Sequence, residues 1–252
     1  MKLQTCSIII PTFNEAENIR PLIEKLKSTY QSIKNFNFEI IIVDDNSTDK
    51  TAEIVKEANY DDVFLYQRES KLGIGSAYRY AFKRCKGDYV IIMDADFSHD
   101  PKVIKAFIDK LEESHADVVF SSRYIENGGV EGWNLKRTII SKSANFIGRF
   151  FLRIPNTDIT GSFRLYSREL IENIFKCTKA NGFSFQVEAS FFARYLTNNY
   201  QEVPIHFEDR KKGKSKLNIG EIFQFIISLV YCFVFMITHI FNSNSLKLNK
   251  NK

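Results

Sequence analysis

The chain has 252 residues and a formal net charge of +5, a length that suits one or two domains built on a sheet-based core. With 44% hydrophobic and 26% charged residues, the composition excludes a disordered chain. The positive charge permits an anionic partner such as a nucleotide or a phospholipid. The basic residues form no stripe with interleaved aromatics, which argues against a nucleic-acid binder. The four cysteines are scattered, without metal-ligand spacing, and favour reduced thiols facing the cytosol.

Short apolar runs alternate with helical patterns through the first half of the chain, and this alternation predicts a mostly parallel α/β sheet with helices on both faces. Ligands of such sheets bind outside the carboxyl ends of the strands, so the loops after the strands are where a site is expected. We predict strands at 6–10, 38–43, 63–67, 89–93 and 118–121. Between them we predict four helices. The first is marked by Ile19, Leu22, Ile23, Leu26 and Tyr30, the second spans 48–58 and is capped by Ser47 or Thr48, and the others span 73–85 and 101–113.

The second half is less regular and ends in an apolar run. We predict a helix at 136–152, a loop and strand at 158–166, a helix at 182–196 and an edge strand at 201–207 that contains a proline. Residues 222–241 include no Asp, Glu, Lys or Arg, and a helix of that length spans about 30 Å, the hydrocarbon thickness of a bilayer. We therefore predict a catalytic domain at 1–217, followed at 218–252 by a membrane helix and a basic tail. A buried core helix and a helix lying in the membrane interface are the alternatives.

Two carboxylates, Asp94 and Asp96, follow the strand predicted at 89–93. Such a pair repels itself unless a cation lies between its members or water solvates them. Mg²⁺ or Mn²⁺ held by one or two carboxylates and by substrate phosphates is a common arrangement. A solvated turn is the alternative, and the Asp-x-Asp pattern by itself does not decide between them.

A second acidic turn, Val43-Asp44-Asp45-Asn46-Ser47, ends the strand predicted at 38–43. Carboxylates at this position can accept hydrogen bonds from a base or from ribose hydroxyls. The alternative is an acidic turn that caps the next helix.

Four basic residues are candidates for binding phosphate. Arg123 follows the fifth predicted strand, and Arg137 opens the helix at 136–152. Arg210 and Lys216 lie in a glycine-containing loop before the apolar run. Arginine forks match phosphate oxygens and lysine adds a point charge, whereas plain surface charge is the alternative.

Together these residues resemble the dolichol-phosphate mannosyltransferases of glycosyltransferase family 2, along nearly the whole chain from Cys6 to Leu217. The resemblance implies the type-A fold of nucleotide-diphospho-sugar transferases. The later motifs are more specific to this family than the earlier ones. The matching segments are Pro11-Thr12-Phe13-Asn14-Glu15, Val43-Asp44-Asp45-Asn46-Ser47, Lys71-Leu72-Gly73-Ile74-Gly75, Met93-Asp94-Ala95-Asp96-Phe97-Ser98-His99, Ser122-Arg123-Tyr124, Gly132-Trp133-Asn134-Leu135-Lys136-Arg137, Thr160-Gly161-Ser162-Phe163-Arg164 and Gly213-Lys214-Ser215-Lys216-Leu217.

The resemblance also implies roles for individual residues. Catalysis would involve Asp96, Arg123, Arg210 and Lys216. Some relatives have a glutamine where Ser98 stands, and a water would make up for the shorter side chain at the metal. The implied sets are Pro11, Phe13, Glu15, Asp44, Asp45, Asp94, Asp96, Arg210 and Lys216 for the nucleotide sugar, Arg123 and Arg137 for the acceptor phosphate, and Asp94, Asp96 and Ser98 for Mg²⁺ or Mn²⁺.

The expected reaction is transfer of mannose from GDP-mannose to dolichyl phosphate by a metal-assisted inverting displacement, which supplies a lipid-linked sugar for glycosylation and GPI-anchor synthesis. The expected location is the endoplasmic reticulum membrane, with the catalytic domain facing the cytosol. Because the chain carries its own apolar run, accessory membrane subunits are not required. The alternatives are a dolichyl-phosphate glucosyltransferase that uses UDP-glucose and a non-catalytic anchoring subunit.

Overall fold

A computed structural model describes residues 3–209 and 219–241 of the chain. The predicted boundary at 217 and 218 lies outside those residues. The strands are β1 (Gln4–Thr12), β2 (Phe36–Asp44), β3 (Val63–Gln67), β4 (Tyr89–Ile92), β5 (Val118–Ser122), β6 (Gly129–Glu131), β7 (Arg164–Ser167), β8 (Tyr200–Pro204) and β9 (His206–Glu208). The helices are α1 (Ala16–Tyr30), α2 (Thr51–Ala58), α3 (Ile74–Phe82), α4 (Val103–Ser114), α5 (Leu135–Leu152), α6 (Arg168–Cys177), α7 (Phe185–Leu196) and α8 (Ile219–Phe241).

Seven strands form one mixed sheet in the order β3-β2-β1-β4-β7-β5-β8, and β7 runs antiparallel to both of its neighbours. The central strands are apolar on both faces because helices cover both sides. Ile9 and Ile41 face the layer of α3, α6 and α7, whereas Ile8 and Ile40 face the layer of α1 and α4. The mostly parallel sheet with helices on both faces is therefore confirmed, and its carboxyl edge carries the loops after β1, β2 and β4.

Two local predictions differ from the structure, and one helix was missed. Neither Ser47 nor Thr48 caps α2, since the helix begins at Thr51 after Lys50 in the left-handed region, and the Ser47 hydroxyl bonds to Asp44 instead. The predicted strand at 201–207 is two strands, although its proline does end the edge strand β8, as expected. Helix α6 was not predicted. It follows β7 without a loop, and Ser167 caps it by accepting from the N–H of Leu170.

The predicted apolar helix is confirmed as α8, which packs along α7 and α5. Ser228 Oγ donates to the buried carboxylate of Glu188 at 2.7 Å, and the Phe235 ring lies 4.9 Å from that of Phe192. Among the described helices, the segment Gly220–His239 is long and apolar enough to cross a membrane, judged by length and composition. Only 11% of that segment is buried, so α8 is not the buried core helix of the alternative prediction.

Candidate active site

The loop after β4 holds Asp94 and Asp96 in fixed positions. The Ser162 hydroxyl donates to Asp94 Oδ2 at 2.9 Å. Asp96 Oδ1 accepts from the Ser98 hydroxyl at 2.6 Å and from the Ser98 N–H at 3.1 Å. Ser98 is buried, and its hydroxyl orients Asp96 in this geometry, whereas its role as a metal ligand stays a prediction.

His99 holds the backbone of the same loop. Its Nδ1 accepts a hydrogen bond from the Asp94 N–H at 3.2 Å, and its ring stacks on Phe163 at 5.0 Å. Burial lowers the pKa of His99, despite the nearby Asp94 and Asp96 carboxylates. The imidazole is therefore neutral and acts as an acceptor that fixes the backbone of the loop.

Beside this loop is a first cavity of about 360 Å³ at the carboxyl edge of the sheet. It brings together five of the acidic and aromatic residues predicted to bind a nucleotide sugar, and Lys71 lies over the Phe13 ring at 4.7 Å. The chain contributes residues to its wall from six separate segments. The lining residues are Pro11, Thr12, Phe13, Glu15, Asp45, Lys71, Gly73, Ile74, Asp94, Ala95, Asp96, Gly182, Phe183 and Glu221.

The neighbours Asp44 and Asp45 have different surroundings. Asp44 is fully buried and accepts hydrogen bonds from Thr12 at 2.9 Å and from the N–H and hydroxyl of Ser47 at 3.0 and 2.5 Å. It does not line the first cavity, so its contact with a nucleoside stays a prediction. Asp45 does line the cavity and forms a two-bond fork with Arg68, at 2.6 and 2.7 Å. Arg68 thus neutralises one carboxylate of the wall.

A second cavity of about 380 Å³ also has the Asp96 loop in its wall. Asp96 lines both cavities and is therefore the residue at which a ligand in one can meet a ligand in the other. The lining residues are Glu17, Asn18, Lys25, Asp96, Phe97, Asp100, His206, Glu208 and Asp209.

Arg123 is held in place by a buried carboxylate. Its Nε and Nη2 donate to Asp158 at 2.6 and 2.7 Å, and Nη2 also donates to Thr160. Burial by itself would raise the pKa of Asp158, but the charge and hydrogen bonds of Arg123 outweigh it and hold that pKa below its usual range. The fork leaves Nη1 of Arg123 as the part of the guanidinium that can bind another anion.

Trp133 joins Arg123 to Arg137. The guanidinium carbons of the two arginines lie 5.2 and 4.3 Å from the indole centroid. Arg137 also pairs with Asp209 at 2.8 Å, and Asp209 lines the second cavity. The two arginines predicted to bind one phosphate are therefore brought together next to that cavity.

Arg210 and Lys216 lie outside the described residues. Within the described ranges no group of three or more His, Cys, Asp or Glu side chains could hold a metal ion by itself. The pair Asp94 and Asp96 still fits Mg²⁺ or Mn²⁺, because these ions take carboxylate oxygens and fill their other positions with water and substrate phosphates.

The family is decided by comparison with known proteins. Residues 7–175 match the model of glycosyl transferase family 2. The chain is 34% identical over 228 residues to a polyprenol monophosphomannose synthase of Mycolicibacterium smegmatis. The aligned region covers 87% of the chain and 83% of that protein. The chain belongs to glycosyl transferase family 2.

Two further likenesses agree with this family. A dolichol-phosphate mannosyltransferase of Pyrococcus furiosus is 34% identical over 87% of the chain, which spans only 61% of the length of that protein. A glucosyl-3-phosphoglycerate synthase of Mycobacterium tuberculosis, solved with Mn²⁺, UDP and glucosyl-3-phosphoglycerate, has a TM-score of 0.67 at 18% identity and covers 92% of the chain and 80% of that structure. The second likeness shows the shared type-A fold.

Several residues of the site were not among the candidates named from the sequence. Ser162 lies in one of the matching segments and Asp158 stands just before it, yet no local pattern pairs them with Asp94 and Arg123. Trp133 is the sole tryptophan of the chain, which is a usable signal. Glu221 gives no signal, because in the sequence it is only the last charge before the apolar run.

Proposed function

We propose that this family 2 enzyme transfers mannose from GDP-mannose to a polyprenyl phosphate such as dolichyl phosphate. The observation that carries the proposal is the position of Asp96 on the walls of both cavities. The first cavity offers carboxylates to a nucleotide sugar, and the second lies beside an arginine pair suited to a phosphate. The names of the two sequence relatives support mannose and a polyprenyl acceptor.

The first cavity would hold the nucleotide sugar. Asp94 and Asp96 would bind Mg²⁺ or Mn²⁺, which supplies positive charge to a departing diphosphate. Pro11, Phe13 and Glu15 form the wall that the family resemblance assigns to the nucleoside. The Mn²⁺ and UDP in the Mycobacterium tuberculosis structure support a divalent ion in this fold.

The acceptor phosphate would bind at Arg123 and Arg137. A phosphate monoester has a second pKa of about 6 and is largely dianionic at neutral pH, so no strong base is needed to activate it. One of its oxygens bonds to the anomeric carbon of the sugar while the bond from that carbon to the diphosphate oxygen breaks, with inversion. The arginines bring the two anions together, and charge preorganised in a dry site is a large catalytic factor.

Helices α5 and α8 would hold the enzyme at a membrane. Both expose large apolar side chains, among them Phe146 and Phe150 on α5, with 70% and 69% of their surface exposed, and Phe223 on α8. Apolar patches of this kind mark membrane or protein contacts. Attachment keeps the site where its lipid acceptor lies. We place the enzyme at the endoplasmic reticulum membrane with its catalytic domain facing the cytosol, as a source of lipid-linked mannose for glycosylation and GPI-anchor synthesis.

Sugar transfer to dolichyl phosphate tests the proposal. Detergent-solubilised protein is given radiolabelled GDP-mannose or UDP-glucose, with Mn²⁺, with Mg²⁺ or with chelator. We expect mannosyl lipid that depends on the metal and is lost in Asp96→Asn but not in Asp109→Asn, an exposed acid on α4. Formation of glucosyl lipid would show that the donor is UDP-glucose and would leave the proposed acceptor unchanged. Product from neither donor, with folded protein and an active control enzyme, would favour the non-catalytic anchoring subunit.

A further inference from the structure

Helix α8 reaches the first cavity with its first turn. Glu221 lines that cavity, and its Oε2 accepts a hydrogen bond from the Phe183 N–H at 3.3 Å. A Cβ placed on Gly182 would lie 3.1 Å from the same oxygen. The helix that exposes its apolar residues to the surroundings therefore also contributes a carboxylate to the nucleotide-sugar cavity.

A buried carboxylate fixes α8 against the same wall about two turns further on. Ser228 donates to Glu188 Oε1 at 2.7 Å, and Glu188 Oε2 accepts from the N–H groups of Lys179 and Ala180 at 2.7 and 3.0 Å. Tyr231 adds a bond from its hydroxyl to the Cys177 carbonyl at 2.7 Å. The segment 177–183 is thus attached to α8 at three points.

The same segment is fitted tightly to the start of α3. The Asn181 carbonyl accepts from the Gly75 N–H at 2.8 Å, and Arg79 donates to the carbonyls of Thr178 and Ala180. A Cβ on Gly73, which has φ of +94°, would lie 2.3 Å from the Asn181 carbonyl oxygen. One wall of the first cavity is therefore continuous from α3 through segment 177–183 to α8.

The chemistry of Glu221 restricts what it can bind. An ionised carboxylate accepts hydrogen bonds and does not donate them, so beside an anionic diphosphate it repels the phosphates. A nucleotide sugar offers O–H donors on its ribose and on its hexose, and N–H donors on its base. Glu221 suits these donors and not the diphosphate, and hydroxyls are the most numerous of them.

We propose that Glu221 is a donor-binding residue whose carboxylate accepts a hydrogen bond from a hydroxyl of the nucleotide sugar, so that the lipid-facing helix is also part of the donor site. This inference rests on the proposed function. Ser228 and Glu188 are positioning residues that hold Glu221 at the wall through α8.

Calorimetric titration with Mn²⁺ tests the inference on the full chain in detergent, with GDP, GDP-mannose, UDP and UDP-glucose as ligands. The variants are Glu221→Ala, Glu221→Gln and, as a matched control, Gln224→Ala, an exposed polar residue one turn along the same helix. We expect Glu221→Ala to weaken GDP-mannose binding about tenfold or more, as a lost charge-assisted hydrogen bond would, and Gln224→Ala to leave it unchanged. Weaker binding of GDP-mannose alone assigns the contact to the hexose, and equal weakening of GDP assigns it to the nucleoside.

Glu221→Gln separates direct contact from support of the loop. Its side-chain oxygen can still accept from the Phe183 N–H, so full wild-type affinity in Glu221→Gln would mean that Glu221 only holds the loop and would overturn the inference. Wild-type affinity in Glu221→Ala overturns it as well. If wild-type protein binds only the uridine nucleotides, the proposed donor is wrong and the same variants decide the inference with those ligands. Binding of none of the four overturns both proposals.

Discussion

At the scale of single residues, the site depends on two buried arginine–carboxylate forks. Arg68 neutralises Asp45 in the wall of the first cavity, and Asp158 neutralises Arg123 beside the second. Both pairs are almost inaccessible to solvent. A fork holds its guanidinium in one orientation, so each pair fixes a loop at the sheet edge before a ligand arrives.

Replacing Asp158 by asparagine should destabilise the protein. The change leaves the charge of Arg123 buried and uncompensated, which costs about 3–5 kcal/mol in the free energy of unfolding. Denaturation by urea in detergent measures this, with Asp109→Asn as the exposed control. If the free energy of unfolding falls no more than it does in the control, water or another group compensates the charge of Arg123.

The stabilisation by Asp158 should also depend on pH. Its pKa in the folded protein is below the usual value, so its contribution is complete above an unfolded pKa of about 4 and is lost as pH falls through the folded pKa. The stability difference between wild type and Asp158→Asn should therefore be constant from pH 7 to 5 and shrink below about pH 4. A difference that already shrinks near pH 6 would point to another titrating group.

Trp133 should act on the acceptor alone, because it contacts both arginines and lines neither cavity. We expect Trp133→Leu to raise KM for dolichyl phosphate about fivefold or more, in line with two lost cation–π contacts of about 0.5–1 kcal/mol each. KM for GDP-mannose should not change. In Trp133→Phe, KM for dolichyl phosphate should stay close to the wild-type value, because an aromatic ring is kept. An equal rise in both KM values would indicate a general loss of structure.

At the scale of elements, α8 is attached to the body by polar groups as well as by apolar packing. Glu188 is buried on α7, and its three hydrogen-bond donors come from α8 and from segment 177–183. A buried carboxylate needs all of its partners, because each unsatisfied oxygen costs free energy. The position of α8 is therefore determined over more than one turn.

Ser228→Ala should loosen α8. It removes one donor from a buried carboxylate, which costs about 1–3 kcal/mol, and thermal unfolding in detergent should move to lower temperature. Thr238→Ala is the matched control, because that hydroxyl is exposed and bonds only within its own helix turn and to His239. Equal shifts for the two variants would contradict a specific role for the Ser228–Glu188 bond.

At the scale of the whole molecule, the exposed faces of α5 and α8 give the protein one apolar side. Among the side chains that the structure describes, seven large apolar residues of α5 and eight of α8 are exposed, from Leu135 to Phe151 and from Ile222 to Ile237. The first turn of α8 also lines the first cavity through Glu221. A membrane that covers the apolar side would therefore lie next to that cavity.

The double variant Phe146→Ser, Phe150→Ser should impair transfer to a long polyprenyl phosphate in vesicles. Two exposed phenylalanines that enter the acyl region contribute apolar burial at about 25 cal/mol per Å², so we expect a several-fold loss of rate. Transfer to a short, water-soluble prenyl phosphate should be unchanged. Leu3→Ser, which alters an exposed residue at the opposite end of the sheet, is the control, and equal losses on both acceptors would argue against membrane contact through α5.

The sequence by itself determined the alternating elements, the parallel sheet and the loop positions of Asp45, Asp94 and Asp96. These follow from apolar periodicity and from the rule that parallel strands end at one edge, both of which are local or topological properties. The approximate helix positions and the apolar helix α8 were also within reach, although α2 begins three residues later than predicted. Helix α6 was missed because it follows a strand without a loop.

Only the tertiary structure decided which groups meet. Asp158 pairs with Arg123 across 35 residues and Glu221 reaches Phe183 across 38, and no periodic pattern encodes such distances. Long-range contacts likewise separate Asp44, which bonds to Thr12 and Ser47, from Asp45, which pairs with Arg68 and lines the first cavity. Charge and hydrogen bonding at the site depend on these long-range contacts, so the chemistry could be predicted as a set of residue types but its geometry could not.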